Sequence, residues 1–160
     1  MRVLKHLFTP HWIAARSFPP HALRQIEAAI KASERQHDGE LRFAIEGPLP
    51  FPALRITTRK RAEALFGQLG VWDTAHNSGV LIYVQLIDRH IEIVADRGIS
   101  AKVEQSEWNS ICRRMEQSFK QGQHAEGALR AIEAITLLLA RHYPPGGRNP
   151  NELPDKPVVL

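Results

Sequence analysis

Cysteine is almost missing from this chain: a single thiol, Cys112, excludes an internal disulfide framework. Long apolar runs are missing too, and stretches such as Leu137-Leu138-Leu139-Ala140 are far too short to cross a bilayer. The amino terminus from Met1 to Phe8 carries positive charge, but it has no sustained apolar region and no small-residue cleavage site, so it does not read as a signal peptide. A soluble, cytoplasmic protein with no transmembrane segment is expected. Standard catalytic signatures are equally scarce. There is no His-Glu-x-x-His, no close His/Cys quartet, no glycine-rich phosphate loop and no Gly-x-Ser-x-Gly elbow. The eight histidines include His37, His76 and His90, which read as polar surface residues. Aromatic residues are few, with three tryptophans and two tyrosines, and none interleaves with basic residues as in an RNA-binding surface. Nucleic-acid binding therefore ranks last among the functions considered, despite a net charge of +4.

What is present suits one domain, since 160 residues are enough for a single sizeable core. The chain divides into a basic N-terminal segment (1–16), a domain (17–143) and an extended Pro/Gly-rich tail (144–160). Ser17 is placed to cap a helix that begins at the two prolines after Phe18 and runs to about Gln36, with Leu23, Ile26 and Ile30 at helical spacing. Glu40 to Glu46 alternates, predicting a strand covered mainly on one side. Three prolines in 47–52 then break regular structure, predicting an excursion that acts as a flap. Thr57-Thr58 can cap a helix whose inward face carries Ala62, Leu65, Phe66 and Leu69. Val80 to Ile87 is almost wholly apolar, as in a central strand buried on both faces, and His90 to Ala95 alternates after a short turn. Trp108, Ile111, Cys112, Met115 and Phe119 form one helical face, which gives the thiol a core role. Ala128 to Ala140 forms a helix apolar nearly all round, suited to deep burial or a subunit contact. Helices are needed on both faces of the central strand. The fold class expected is therefore α/β, a three-layer α/β/α sandwich with a small mixed sheet flanked by helices.

Two polar constellations are candidate sites. An antiparallel hairpin brings the entrance of its first strand and the exit of its second to one sheet edge. Asp73, Asn77, Ser78 and Asp96 would then converge as hard oxygen ligands for Ca²⁺ or Mg²⁺. The same residues also suit plain turn chemistry, in which Asp and Asn cap amides and Gly98 turns the backbone. Arg97 beside them would weaken a bare cation site but would help hold a phosphate; an ion pair with Glu92, Glu104 or Asp96 is the alternative. The second constellation is basic: Arg59, Lys60 and Arg61, with Arg55 nearby, stand at a helix start where cations oppose the macrodipole and a bound anion would relieve them. A solvated polar face is the competing reading.

Three passages resemble the TPM domain family, whose members include thylakoid-lumen, bacterial and animal membrane-associated proteins. They are Gly39 to Glu46; Val71-Trp72-Asp73-Thr74 through Gly79-Val80-Leu81-Ile82-Tyr83; and Ile91 to Ile99, including Asp96-Arg97-Gly98. The resemblance runs from about Glu34 to Leu160, and the closing Asn151 to Pro157 is similar to a compact, soluble bacterial branch. It implies an α/β sandwich. It also implies a choice of activities, because some members are described as acid phosphatases, some as binders of calcium or other divalent cations, and others as assembly or repair factors. Relatives often begin the central strand with Asp-Asn-Gly-Val-Leu where this chain has Asn77-Ser78-Gly79-Val80-Leu81, and many have glycine in place of Asp96, which could restore the lost negative charge. The function ranked first is a binding or assembly module, its partner another protein, with a divalent-cation site at the hairpin ends. The alternative is a divalent-metal-dependent phosphatase acting on phosphomonoesters, with Arg97 or the Arg59-Lys60-Arg61 cluster holding the phosphate.

Overall fold

The computed structural model describes residues 2–147 and 150–160; Met1 of the N-terminal segment and Arg148 and Asn149 of the tail lie outside the described residues. Two short helices open the chain, α1 (Arg2–Phe8) and α2 (Trp12–Ser17), followed by α3 (Pro20–Ser33). Ser17 is thus the last residue of α2 and not the cap of α3. Pro19 occupies that cap position and Pro20 opens the helix, where a missing N–H costs nothing. The helix stops at Ser33, three residues before the expected end.

The strand predicted over 40–46 is β1 (Glu40–Glu46), but all seven of its residues are buried. The expectation of one covered face fails because helix and tail cover the other. Leu41, Phe43 and Ile45 point to a larger core with α3, α6 (Gln105–Lys120) and α7 (His124–His142). Ala44 points the opposite way, to a smaller core with Ala62 and Leu65 of α4 (Thr58–Gln68) and Leu153 of the tail. The two faces alternate as the strand's two-residue period requires. Helix α4 connects β1 to β2 (Gly79–Gln85), to which β1 runs parallel, as a βαβ crossover demands. Its cap is as predicted: Thr57 accepts from the amide of Lys60. A turn through Arg89, at φ +53°, leads to β3 (His90–Ala95), antiparallel to β2.

The tail closes the sheet. Its β4 (Val158–Val159) pairs parallel with Ala44 and Ile45, so the order among the described residues is β3-β2-β1-β4. The fold is the expected mixed sheet between helices. The 47–52 loop is anchored: Leu49 is buried and its amide donates to His6 Nδ1 at 2.9 Å, so the flap expectation is replaced by a fastened loop that runs into a 3₁₀ turn (Phe51–Arg55). Helix α7 buries Ala128, Ala131, Ile132, Ile135 and Leu139 but leaves Leu137 65% exposed, so only one side of this apolar helix is in the core.

Candidate functional site

Glu40 lies opposite Gly79 at the start of the parallel pair, and Ala95 lies opposite Val80 at the end of β3. The beginnings of β1 and β2 and the end of β3 therefore share one sheet edge. The edge is knit by backbone bonds: Glu40 N donates to Ser78 O, Asp96 N to Gly79 O, Gly98 N to Asn77 O and Asp38 N to Tyr143 O. Asp96 caps the short helix α5 (Arg97–Ser100), accepting from the Arg97 amide at 2.7 Å. Gly98 is needed by close approach: a Cβ there would stand 2.6 Å from the Asn77 carbonyl oxygen and 2.8 Å from that of His76.

The four expected oxygen ligands have different surroundings. Asn77, at φ +49°, accepts from Arg97 Nε through its Oδ1 at 3.2 Å. Ser78 is buried, donates its hydroxyl to Asp38 O and its amide N–H to Thr74 Oγ1. Asp96 has one oxygen on the Arg97 amide, while Oδ2 is buried without a partner. Asp73 is exposed. Among the described residues no group of three or more His, Cys, Asp and Glu is drawn together closely enough to hold a metal by itself.

Two carboxylates that the sequence did not single out belong to the same edge. Asp38 accepts from Gly146 N through Oδ2, and its Oδ1 is buried and unpartnered. Glu40, 1% exposed, accepts from Leu153 N through Oε2 at 3.1 Å and leaves Oε1 unpartnered. Burial raises its pKa, and Glu152 and Asp155 reinforce the shift against the amides that oppose it. Glu34, which accepts from Leu41 N, is pushed up to about 9 by burial, with the charges of Glu40 and Asp155 adding to it. A carboxylic acid neutral at pH 7 thus sits under the tail. Arg42 is the cation of this region, donating to Pro154 O at 2.5 Å and Lys156 O at 3.2 Å. The only sequence signal for Asp38 and Glu40 was their place beside Gly39 at the start of a strand.

The basic constellation is dispersed. Arg61 makes a two-pronged ion pair with Glu46, Nε to Oε2 at 3.0 Å and Nη2 to Oε1 at 2.6 Å. Arg59 reaches across to Ile93 O, Glu63 and Glu92. Lys60 is exposed, and Arg97 faces Asn77 and not Glu92, Glu104 or Asp96.

His37 was expected at the surface but is fully buried. Its Nδ1 accepts from Gly39 N–H at 3.1 Å, so the ring proton is on Nε2 and points to Ser33 Oγ at 2.8 Å. Ser33 in turn contacts Thr136 Oγ1 at 2.6 Å, and Thr136 donates to Ile132 O. This chain is complete only with a neutral ring, and burial lowers the His37 pKa. His90 lies at the opposite end of the sheet, with one ring nitrogen on Glu92 and the other on Glu116.

A model of the TPM domain matches residues 14–137. The chain belongs to the TPM domain family. Among solved structures, this TPM domain is similar to the BA42 protein of the psychrophilic bacterium Bizionia argentinensis, at 28% identity and a TM-score of 0.78, over 88% of this chain and 93% of that one. It shares its fold with the N-terminal domain of a P. gingivalis protein, at 19% identity and a TM-score of 0.61, over 89% and 98% of the two chains. Comparison with curated protein sequences finds no match.

Proposed function

We propose that this TPM domain is a cytoplasmic binding or assembly module for another protein, and that it takes a divalent cation at the sheet edge where β1 and β2 begin. One observation carries the cation reading: two carboxylates of that edge, Asp38 and Asp96, each have a buried oxygen without a hydrogen-bond partner. Such oxygens are costly unless something positive meets them. The donor chemistry suits a hard cation such as Ca²⁺ or Mg²⁺. Asn77 and Ser78 are engaged with Arg97 and Asp38 O, so the residues that would hold the ion are Asp96 and Asp38, with water completing the shell as Mg²⁺ commonly requires. A bound ion would supply charge that orders the loops preceding β2 and α5.

Phosphomonoester hydrolysis has no comparable support. Burial pushes the Cys112 thiol up to about 12, and Ser33, the hydroxyl beside an imidazole, is buried with His37. Calorimetric titration of chelator-treated protein with calcium, magnesium and manganese tests the proposal. Binding that Asp96→Asn or Asp38→Asn abolishes would support it. No heat with any ion, or unchanged affinity in both variants, would sink the cation site.

A further inference from the structure

Helix α1 is oriented against the usual rule for a surface helix. Its buried side chain is a histidine, His6, whereas Leu4, Leu7 and Phe8 are 56%, 72% and 77% exposed. Polar contacts hold it that way round. His6 accepts the Leu49 amide on Nδ1, so its Nε2 proton faces Asp88 Oδ1 at 3.1 Å. Arg2 meets the other Asp88 oxygen at 2.8 Å and donates to Leu54 O and Ile56 O. Rolling the helix to bury its leucines would strand Asp88 and these carbonyls, so the apolar side chains are fixed outward.

They do not stand alone. Val3, Leu7 and Phe8 border an open groove of about 940 Å³ with Pro50, Phe51 and Leu160. Trp12, 58% exposed, begins the next helix. Two aromatic rings of this region carry guanidinium groups: Arg16 lies 5.9 Å from the Trp12 ring centroid and Arg55 lies 5.4 Å from that of Phe51. The side-chain charge left without an opposite partner is of one sign. No Asp or Glu precedes Glu27, and Lys5, Arg16 and Arg55 have no carboxylate partner among the described residues. The carboxylate in the groove lining, Glu46, is neutralised by Arg61.

We infer that this face docks on the surface of an anionic phospholipid bilayer. Leu4, Leu7, Phe8 and Trp12 enter the boundary between headgroups and acyl chains, and Lys5, Arg16 and Arg55 meet the phosphates. Exposed leucine and aromatic side chains with a cationic rim are the composition of an interfacial helix. A second copy fits worse, because a two-fold contact would set each cationic rim against its own image. No helix among the described residues is long and apolar enough to cross a membrane, so the contact lies on the surface.

The test is flotation of the full chain with vesicles of phosphatidylcholine alone and of an equal mixture of phosphatidylcholine and phosphatidylglycerol. Binding to the mixed vesicles, weakened by salt, is expected. In a Trp72→Phe background, where the other remaining tryptophan, Trp108, is buried, the Trp12 part of the emission should shift to the blue on binding. A Leu7→Ser/Phe8→Ser variant should lose about tenfold or more in bound fraction, with its melting temperature unchanged because both side chains are exposed. Lys5→Glu should weaken mixed-vesicle binding alone. Absence of flotation, or equal flotation of the double serine variant, overturns the inference. So does equal binding to neutral vesicles, which removes the role of charge. A dimer that the double variant converts to monomer reassigns the face to a second copy.

Discussion

At the scale of single residues, the best-defined polar contact is the one sequence reasoning placed elsewhere. Arg61 belongs to a basic run at a helix start, yet its guanidinium is matched by the carboxylate of Glu46, which is 2% exposed, and Tyr83 donates to the same carboxylate at 2.5 Å. The hydrogen bond to Glu46 raises the Arg61 pKa above its usual value, and burial raises that of Tyr83, so both stay protonated. Removing one partner strands a buried charge. Arg61→Ala is expected to cost about 3 kcal/mol in chemical denaturation, and Arg61→Lys less, since lysine keeps the charge but not the fork. Gly79 offers a steric counterpart. A Cβ at that position would stand 1.9 Å from the Val71 carbonyl oxygen, a backbone atom that cannot swing aside. Gly79→Ala should destabilise by about 3 kcal/mol or more, read as a lower denaturation midpoint.

At the scale of elements, the tail decides more than its two-residue strand suggests. It brings Leu153 to the smaller core and its amide to Glu40, gives two carbonyls to Arg42, and lends Glu152 to the amide of Ala75. Deleting residues 144–160 would remove partners of a carboxylate 1% exposed and a guanidinium residue 6% exposed. The expected loss is several kcal/mol, on the order of 3–6, and a fall in melting temperature of about 10 °C or more by calorimetry. A tail-deleted chain therefore tests folding before it tests partner binding. The 47–52 loop follows the same logic: its prolines exclude a continued strand or an α-helix, and the His6 ring holds it to the body.

At the scale of the whole molecule, buried titrating groups pull stability in opposite directions with pH. Glu34 has a folded pKa of about 9 against 4.5 for an ordinary glutamate, so the folded chain holds its proton more tightly. Its contribution is complete below about pH 4.5 and is lost as pH rises towards 9. His90, raised above 6.5 chiefly by its hydrogen bond to Glu92, also favours lower pH. His37, lowered from 6.5 by burial, acts the other way, so its contribution is lost as pH falls below about 6.5. Melting temperature should therefore decline from pH 7 to pH 9, and Glu34→Gln, which mimics the neutral acid, should flatten that decline. An unchanged slope in the variant would mean that Glu34 does not titrate there.

The sequence by itself determined the local order of this protein. Alternation marked β1 and β3, continuous apolar character marked β2 as central, 3.6-residue spacing marked the inner faces of α4 and α6, and Thr57 marked a cap, because each signal is written within a few neighbouring residues. Even the sheet edge was legible through the hairpin, whose two strands are adjacent in the chain. Tertiary structure decided the polar partnerships. Leu153 finds Glu40 across 113 positions, Ser33 finds Thr136 across 103, and Arg2 finds Asp88 across 86. No periodicity spans such distances. Burial of His37, the second covered face of β1, the dispersal of the basic run and the outward apolar face of α1 all depend on which elements the fold closes against one another. Hydrophobic pattern is a property of a segment; satisfaction of buried charge is a property of the packed whole.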